Sequence, residues 1–293
     1  MALQSGKFGK LLEPGLRKVF FDTYKEIPEQ YSKIYNVQNS NKAIETDLRM
    51  GGFGLFRKKD SLGSVNYQEP TATQPIQYIH EEYAEGFIVE RKLVDDEQYN
   101  QISKMSKSLG MAARASVETS AATIFENAFT AVGYDGQPLI SDAHPRLSGS
   151  GTDSNKITGA LNEQNLKLAL QLARDTRNEA GIRIQVMPKL LIVPPELEFV
   201  ATELVESGQK PDTNYNNINS LRGRLKVFVW DYLTSPTAWF LLDPNVAELN
   251  FFWRKRLEFK NTQDFDTHAA KYQAYMRYSV GYSDWRGIVG SAG

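Results

Sequence analysis

Three histidines, His80, His144 and His268, are the side chains best suited to acid–base or metal chemistry near neutral pH. Their spacing supports neither. No two stand at a metal-ligand interval, and no His-Glu-x-x-His pattern occurs. His144 follows Asp142 by two positions, but such a pair makes no triad without a nucleophile. No Gly-x-Ser-x-Gly elbow supplies one. A surface or packing role is expected for each histidine. The run from Ser148 to Lys156, with Gly149, Gly151, Thr152, Asp153, Ser154 and Asn155, invites a phosphate-loop reading. It lacks Gly-Lys-Ser/Thr and follows no strong strand, so a flexible loop is expected. Gly51-Gly52-Phe53-Gly54 lacks the dinucleotide spacing and a following helix. Arg57-Lys58-Lys59 could touch phosphates or acidic side chains, but a charge run at a predicted hairpin tip is usually solvated. The 35 Asp and Glu residues include pairs such as Glu81-Glu82 and Asp95-Asp96, which suit exposed strands and helix starts. No catalytic residue, cofactor or metal is expected.

The totals are those of an ordinary globular chain. Its 293 residues allow one large domain or two modest ones with a real core. Hydrophobic residues make up 41% and charged residues 24%, both usual values. A net charge of −1 gives no global sign of nucleic-acid binding. With no cysteine, disulfides and thiolate metal sites are excluded. Met1 to Lys10 lacks the apolar run of a signal peptide. No stretch approaches the roughly 18 apolar residues of a membrane helix. A soluble protein made in a cytoplasm is expected.

The elements follow from periodicity. Pro14 to Lys25 carries Leu16, Val19, Phe20 and Tyr24 at helical spacing, with Pro14 near the start. Ile27 to Ile44 reads as an extended arm. Gly51 to Asp60 opens a hairpin-like excursion returning through Ser64 to Gln68. Ile76 to Glu81 and Gly86 to Val94 alternate as strands. A long helix is predicted over 96–129, roughly 50 Å at 1.5 Å per residue, with Gly110 as a point of bending. Ala131 to Ile157 is a loop long enough to be functional or mobile. Asn162 caps a second helix, which Gly181 stops.

Leu190 to Val193 is then a short apolar strand ended by Pro194-Pro195. A helix follows, with Leu197, Val200, Ala201, Leu204 and Val205 at helical spacing. Strands are predicted at Leu225 to Trp230, Trp239 to Asp243, Leu249 to Trp253 and Leu257 to Lys260. Ala270 to Tyr282 alternates over its whole length and is expected to pair with Gly86 to Val94. The middle of the chain then forms an inserted α/β lobe.

The order of these elements resembles the Hong Kong 97-type fold of tailed-phage capsid proteins, and specific segments resemble the Mu-like head subunits. These are Pro14-Gly15-Leu16 through Asp22-Thr23-Tyr24 to Gln30-Tyr31, Leu139-Ile140-Ser141-Asp142-Ala143-His144-Pro145 and Leu191-Ile192-Val193-Pro194-Pro195-Glu196-Leu197-Glu198. Trp239-Phe240-Leu241-Leu242-Asp243 and Tyr282-Ser283-Asp284-Trp285-Arg286-Gly287 complete the set. The resemblance implies an α+β chain. It has an N-terminal arm (1–45), an extended loop (46–75), a peripheral domain (76–157 and 263–293) with a spine helix, and an inserted axial domain (158–262).

The resemblance also implies a function. Subunits assemble as pentamers and hexamers into an icosahedral shell around double-stranded DNA, within a virion made in a host cytoplasm. A separate scaffolding protein and a portal are the implied partners besides further copies, with DNA contacted weakly. Assembly contacts are expected at Phe20, Tyr24, Tyr31, Phe53, Phe56, Arg57, Lys58 and Lys59. Covalent cross-linking through Lys58 or Lys59 lacks a specified partner. The rival readings are an encapsulin-like compartment, a soluble hydrolase with a site in 131–157, and a tail or connector component.

Overall fold

The computed structural model describes residues 8–48, 51–59, 61, 63–67, 69, 75–96, 98–146, 151–209, 218–264 and 269–293. In chain order the helices are α1 (Phe8–Glu26), α2 (Arg91–Asp95), α3 (Tyr99–Glu126), α4 (Glu163–Asp175) and α5 (Glu198–Glu206). The strands are β1 (Asn36–Asn39), β2 (Ile44–Asp47), β3 (Ile76–Ile79), β4 (Glu81–Val89), β5 (His144–Pro145) and β6 (Thr152–Asp153). Later strands are β7 (Leu190–Val193), β8 (Lys226–Val229), β9 (Trp239–Leu242), β10 (Leu249–Gln263), β11 (Ala270–Tyr282) and β12 (Ile288–Ser291). The chain divides into two compact units, each drawn from separate segments.

The first unit takes in residues up to Glu45, Tyr78–Ala121 and Phe251–Val280. Its sheet has the order β1-β10-β11-β4. The long alternation of β11 puts Tyr272, Ala274, Met276 and Tyr278 on one buried face. It pairs antiparallel with β4, from Ala270 opposite Val89 to Tyr278 opposite Glu81. Leu16 and Phe20 of α1 and Ile102, Leu109 and Ala113 of α3 pack with Phe259, Tyr272 and Ala274 as one core.

Two polar contacts fix the N-terminal segment on α3. The buried Glu118 carboxylate accepts the backbone N–H groups of Gln30 (2.8 Å) and Tyr31 (2.9 Å). Ser106 donates to the Leu16 carbonyl at 2.8 Å. The segment expected to be an extended arm instead turns as 3₁₀ at Tyr31–Lys33 and buries Tyr31, Ile34 and Tyr35 in the chain's own core. Aromatic residues without sustained period concealed this, because their partners lie far away in sequence, as with Tyr31 on Phe251.

The second unit takes in Thr46–Gln77, Ala122–Asn250 and residues from Gly281 onward. Its sheet has the order β12-β9-β7-β8, with β7 and β8 parallel and the other pairs antiparallel. Leu191, Ile192 and Val193 of β7 and all of β9 are buried, as continuous apolar runs demand. Pro194 ends β7 in extended geometry, and a 3₁₀ turn at Pro195–Leu197 leads into α5. Asn162 caps α4, its side chain accepting the Asn165 N–H at 2.8 Å.

Several boundaries differ from expectation. α1 starts ahead of Pro14, which lies inside it. The helix predicted over 96–129 is α3, and the strand predicted over Gly86 to Val94 is instead β4, which ends at Val89, followed by the short helix α2. α4 stops before Gly181, which sits in a turn where its N–H donates to the Asn178 carbonyl. The two strands predicted at Leu249 to Trp253 and Leu257 to Lys260 are one strand, β10. Arg254, Lys255 and Arg256 are charged but none breaks a strand, so the extended backbone continues through them. The expected 158–262 lobe therefore ends near Asn250 rather than at 262, and β12 belongs with β9 rather than with a peripheral 263–293 segment.

Gly110 is a contact rather than a bend. A Cβ there would stand 2.7 Å from the Phe20 carbonyl oxygen. Gly110→Ala should therefore lower subunit stability by about 1–3 kcal/mol in urea melts, although alanine is the better helix former.

Candidate assembly surfaces

His144 lies at the centre of a buried polar cluster. Its ring is stacked on Trp285, with centroids 4.1 Å apart and planes 7° apart. Nδ1 faces the Asp135 carboxylate at 2.6 Å, and Nε2 lies 3.1 Å from Asn155 Oδ1. Asn155 uses its whole side-chain capacity. Nδ2 donates to the carbonyls of Leu139 and Ile288, and Oδ1 also accepts the Ser141 N–H at 2.8 Å. With both amide hydrogens committed, Oδ1 must accept from the imidazole, so Nε2 carries a proton.

Next to it, the buried Arg286 guanidinium meets Glu179 at 2.9 Å and Asp284 at 3.4 Å. Its Nε donates to the Arg177 carbonyl. Asp142, adjacent in sequence, is exposed; the carboxylate that meets the ring is Asp135. This cluster binds the segment after α3 to the strand β12. Gly151 to Lys156 is held in it, through β6 and Asn155, while 147–150 lie outside the described residues.

His80 is buried in the first unit between two serines, with Ser40 at 3.1 Å from Nε2 and Ser279 at 2.9 Å from Nδ1. Burial is the main reason its ring is held below the ordinary value of 6.5. Arg277 and Arg254 push the same way, and Glu45 opposes them. His268 lies outside the described residues. Among the described residues no group of three or more His, Asp or Glu could hold a metal ion, and no helix is long and apolar enough to cross a membrane.

The expected contact residues fall into two sets. Phe20 is fully buried against Phe21 and Phe259, and Tyr31 is buried with its hydroxyl accepting from Trp253 Nε1 at 3.2 Å. Tyr24 is half-buried under the Arg114 guanidinium, 3.9 Å from its ring centre. Phe20 and Tyr31 are core side chains of this chain, and Tyr24 packs partly buried against that core.

Phe53, Phe56, Arg57, Lys58 and Lys59 are the opposite. Phe56 is 98% exposed and Phe53 59%, and Leu55, Val65 and Tyr67 nearby are exposed too. No described residue forms an ion pair with any of the three cations. The outgoing and returning legs share a cleft of about 460 Å³ lined by Phe53, Phe56, Val65 and Tyr67, but no strand pairing joins them among the described residues. The root is held: the Gly52 N–H donates to Glu179, and a Cβ at Gly52 would meet Asn178 at 2.6 Å. Phe53, Phe56 and Tyr67 thus form a set of exposed aromatics on a loop anchored at its root. Phe199, 77% exposed on α5, is a second exposed aromatic, which sequence periodicity had not singled out.

The architecture is that of viral shell proteins. The chain is similar to the capsid of bacteriophage JBD30 decorated with minor capsid protein trimers, at 15% identity and a TM-score of 0.59, over 71% of this chain and 92% of that one. It is similar to the mature capsid of bacteriophage PhiM1 at 10% identity and 0.59, over 90% and 87%. A virus-like particle from Pyrococcus furiosus is matched at 11% identity and 0.58, over 95% and 98%. At these identities the likeness is one of fold. No curated protein matches the sequence. The phage capsid protein family is matched over residues 73–291, and the chain belongs to that family.

Two outcomes follow from the buried clusters. Asn155→Leu leaves two carbonyls, one N–H and the His144 ring without their partner, and should cost about 3–5 kcal/mol in chemical denaturation. For His80 the unfolded chain takes up a proton before the native one as pH falls. Its contribution is therefore full above 6.5 and is lost as pH drops towards the lowered native value. The melting temperature of the free subunit should fall across that window, and His80→Gln should make the slope shallower.

Proposed function

We propose that this chain is the major capsid protein of a tailed phage, assembling as hexamers and pentamers into an icosahedral shell around double-stranded DNA. Its role on this reading is structural rather than catalytic. The observation that carries it is the loop at 51–67, on a chain of the phage capsid family. Its root is anchored within the subunit while Phe53, Leu55, Phe56 and Tyr67 stay in water. Such a surface gains from burial against another copy, and a shell multiplies modest contacts.

In Hong Kong 97-type terms, 46–75 is the extended loop that lies over a neighbour, and α3 is the spine helix. The sheet β1-β10-β11-β4 is the peripheral domain and the sheet β12-β9-β7-β8 the axial one. The proposed partners are further copies, a separate scaffolding protein, a portal and weakly held DNA. The place of action is the virion, after synthesis in the host cytoplasm, and the kinship within tailed phages is with Mu-like heads. The likeness to the Pyrococcus furiosus particle supports one other reading, an encapsulin-like compartment. Nucleic acid inside purified particles separates the two.

Negative-stain electron microscopy of lysate from cells expressing the chain, with its scaffolding protein where one is needed, should show closed shells, tubes or hexamer rings. Replacing 53–67 by a short Gly-Ser linker should abolish them while the subunit melts as before. Only small uniform particles from the intact chain would overturn the capsid reading.

A further inference from the structure

A relay of hydrogen bonds runs through the first unit from β11 to the turn at 40–45. The Ser40 hydroxyl donates to the Glu45 carboxylate at 2.7 Å. The same oxygen lies 3.1 Å from the Lys42 N–H and 3.1 Å from His80 Nε2. A serine has one hydroxyl hydrogen and two lone pairs. With its hydrogen on Glu45, Ser40 must accept from the ring, so Nε2 carries a proton. Nδ1 of the neutral ring is then bare and accepts the Ser279 hydroxyl at 2.9 Å. Every direction in the relay is fixed, and it is complete only with a neutral His80.

The surroundings oppose a second proton on that ring. Arg277 of β11 donates from Nε to the His80 carbonyl at 3.3 Å and meets Glu82 of β4 only loosely, at 3.8 Å. Arg254 of β10 adds a second positive charge, and its buried Nε has no partner among the described residues. Glu45 of β2 pulls the other way but is shared with Lys42 at 3.0 Å. The Ser40 hydrogen bond, then Lys42, hold the Glu45 carboxyl below its ordinary 4.5, so it remains ionised at mildly acidic pH. β2 leaves this turn, β3 leads into His80, and the two strands pair. The relay therefore holds both ends of the excursion that carries the 51–67 loop. We infer that His80 is an acid-operated latch: its neutral ring fastens the 40–45 turn to β11, and a proton on Nδ1 releases that turn while the rest of the subunit stays folded. Once released, the ring regains its ordinary value of 6.5 and takes up the proton that the closed form resists, so acid favours opening. The latch belongs to the free subunit and is independent of whether shells form.

Amide hydrogen exchange of the full chain, read by mass spectrometry and corrected for the intrinsic effect of pH, tests the latch. Protection of peptides covering 40–47 and 76–83 should fall by about threefold or more from roughly pH 7.5 to roughly pH 5.5, one proton allowing at most about tenfold per pH unit. Exchange there should be faster than in β7 and β9 and should hardly respond to about 1 M urea, as a local opening requires. His80→Gln, whose amide can donate to Ser40 and accept from Ser279 without titrating, should remove the acid effect. Arg254→Gln takes away one cation and no bond of the relay, and should shrink the effect; it decides the matter alone if His80→Gln does not fold. The latch is overturned by stretches indifferent to acid, by an effect that survives His80→Gln or is undiminished in Arg254→Gln, or by one seen only through the urea-sensitive unfolding that also exposes β7 and β9.

Discussion

The Asn155 carboxamide, buried and with every donor and acceptor engaged, is the constraint on which the second unit turns. Its four side-chain bonds reach the carbonyls of Leu139 and Ile288, the Ser141 N–H and the His144 ring. Its backbone reaches further, with its N–H on the Ser141 carbonyl and its carbonyl taking the Gly290 N–H. A residue with this many obligations holds the segment after α3 and the strand β12 in one geometry. An amide in a dry interior is costly unless satisfied, so the cluster is either complete or absent. Trp285 and Arg286 extend it, one by stacking and one by binding Glu179, whose other oxygen meets the Gly52 N–H at the root of the exposed loop. Rigidity at the loop's root is thus continuous with the core, while its aromatic tip is free to find a partner.

Much of the fold was legible because it rests on local pattern. Leu190 to Val193 before two prolines, the continuous run at Trp239 and the alternation from Ala270 onward each have one reading. So does the cap at Asn162. The pairing of the two alternating segments followed from their patterns, although the partner of β11 runs over Glu81–Val89 rather than Gly86 to Val94 and its antiparallel sense was not foreseen. What was not legible depended on residues distant in sequence. Tyr31 and Tyr35 read as an arm because nothing nearby shows Phe251 beneath them. His144 appeared beside Asp142, but its partners are Asp135, Asn155 and Trp285. A buried histidine needs acceptors, and a sequence does not say which of several carboxylates the chain brings round. Gly110 looked like a hinge because helix propensity is local, whereas the backbone of α1 against it is not.

Which of the singled-out aromatics stay exposed was legible in part, for the same reason. Phe53, Phe56 and the three following cations stand among glycines with no periodic companions, and that marks them as unable to join a core. Phe20 and Tyr31 share their aromatic character but are taken into the core, and Tyr24 packs partly buried against it. Composition is similarly deceptive for charge. A net charge of −1 describes the whole chain, yet Arg57 to Lys59 are all basic and Glu81, Glu82, Glu85 and Glu90 are acidic and exposed along one edge.

The pairing of β12 with β9 has a consequence for the order of events during synthesis. Between those partners in sequence lie β10 and β11, two long strands most of whose residues serve the other unit's sheet. A ribosome that has delivered β9 has therefore not delivered its neighbour, and the flank of β9 that β12 will occupy stays open until both intervening strands have emerged. Non-local pairing of this kind is slow and leaves an edge exposed. The nascent subunit thus carries a built-in delay, and its second sheet is completed only after nearly all of the first unit's residues exist.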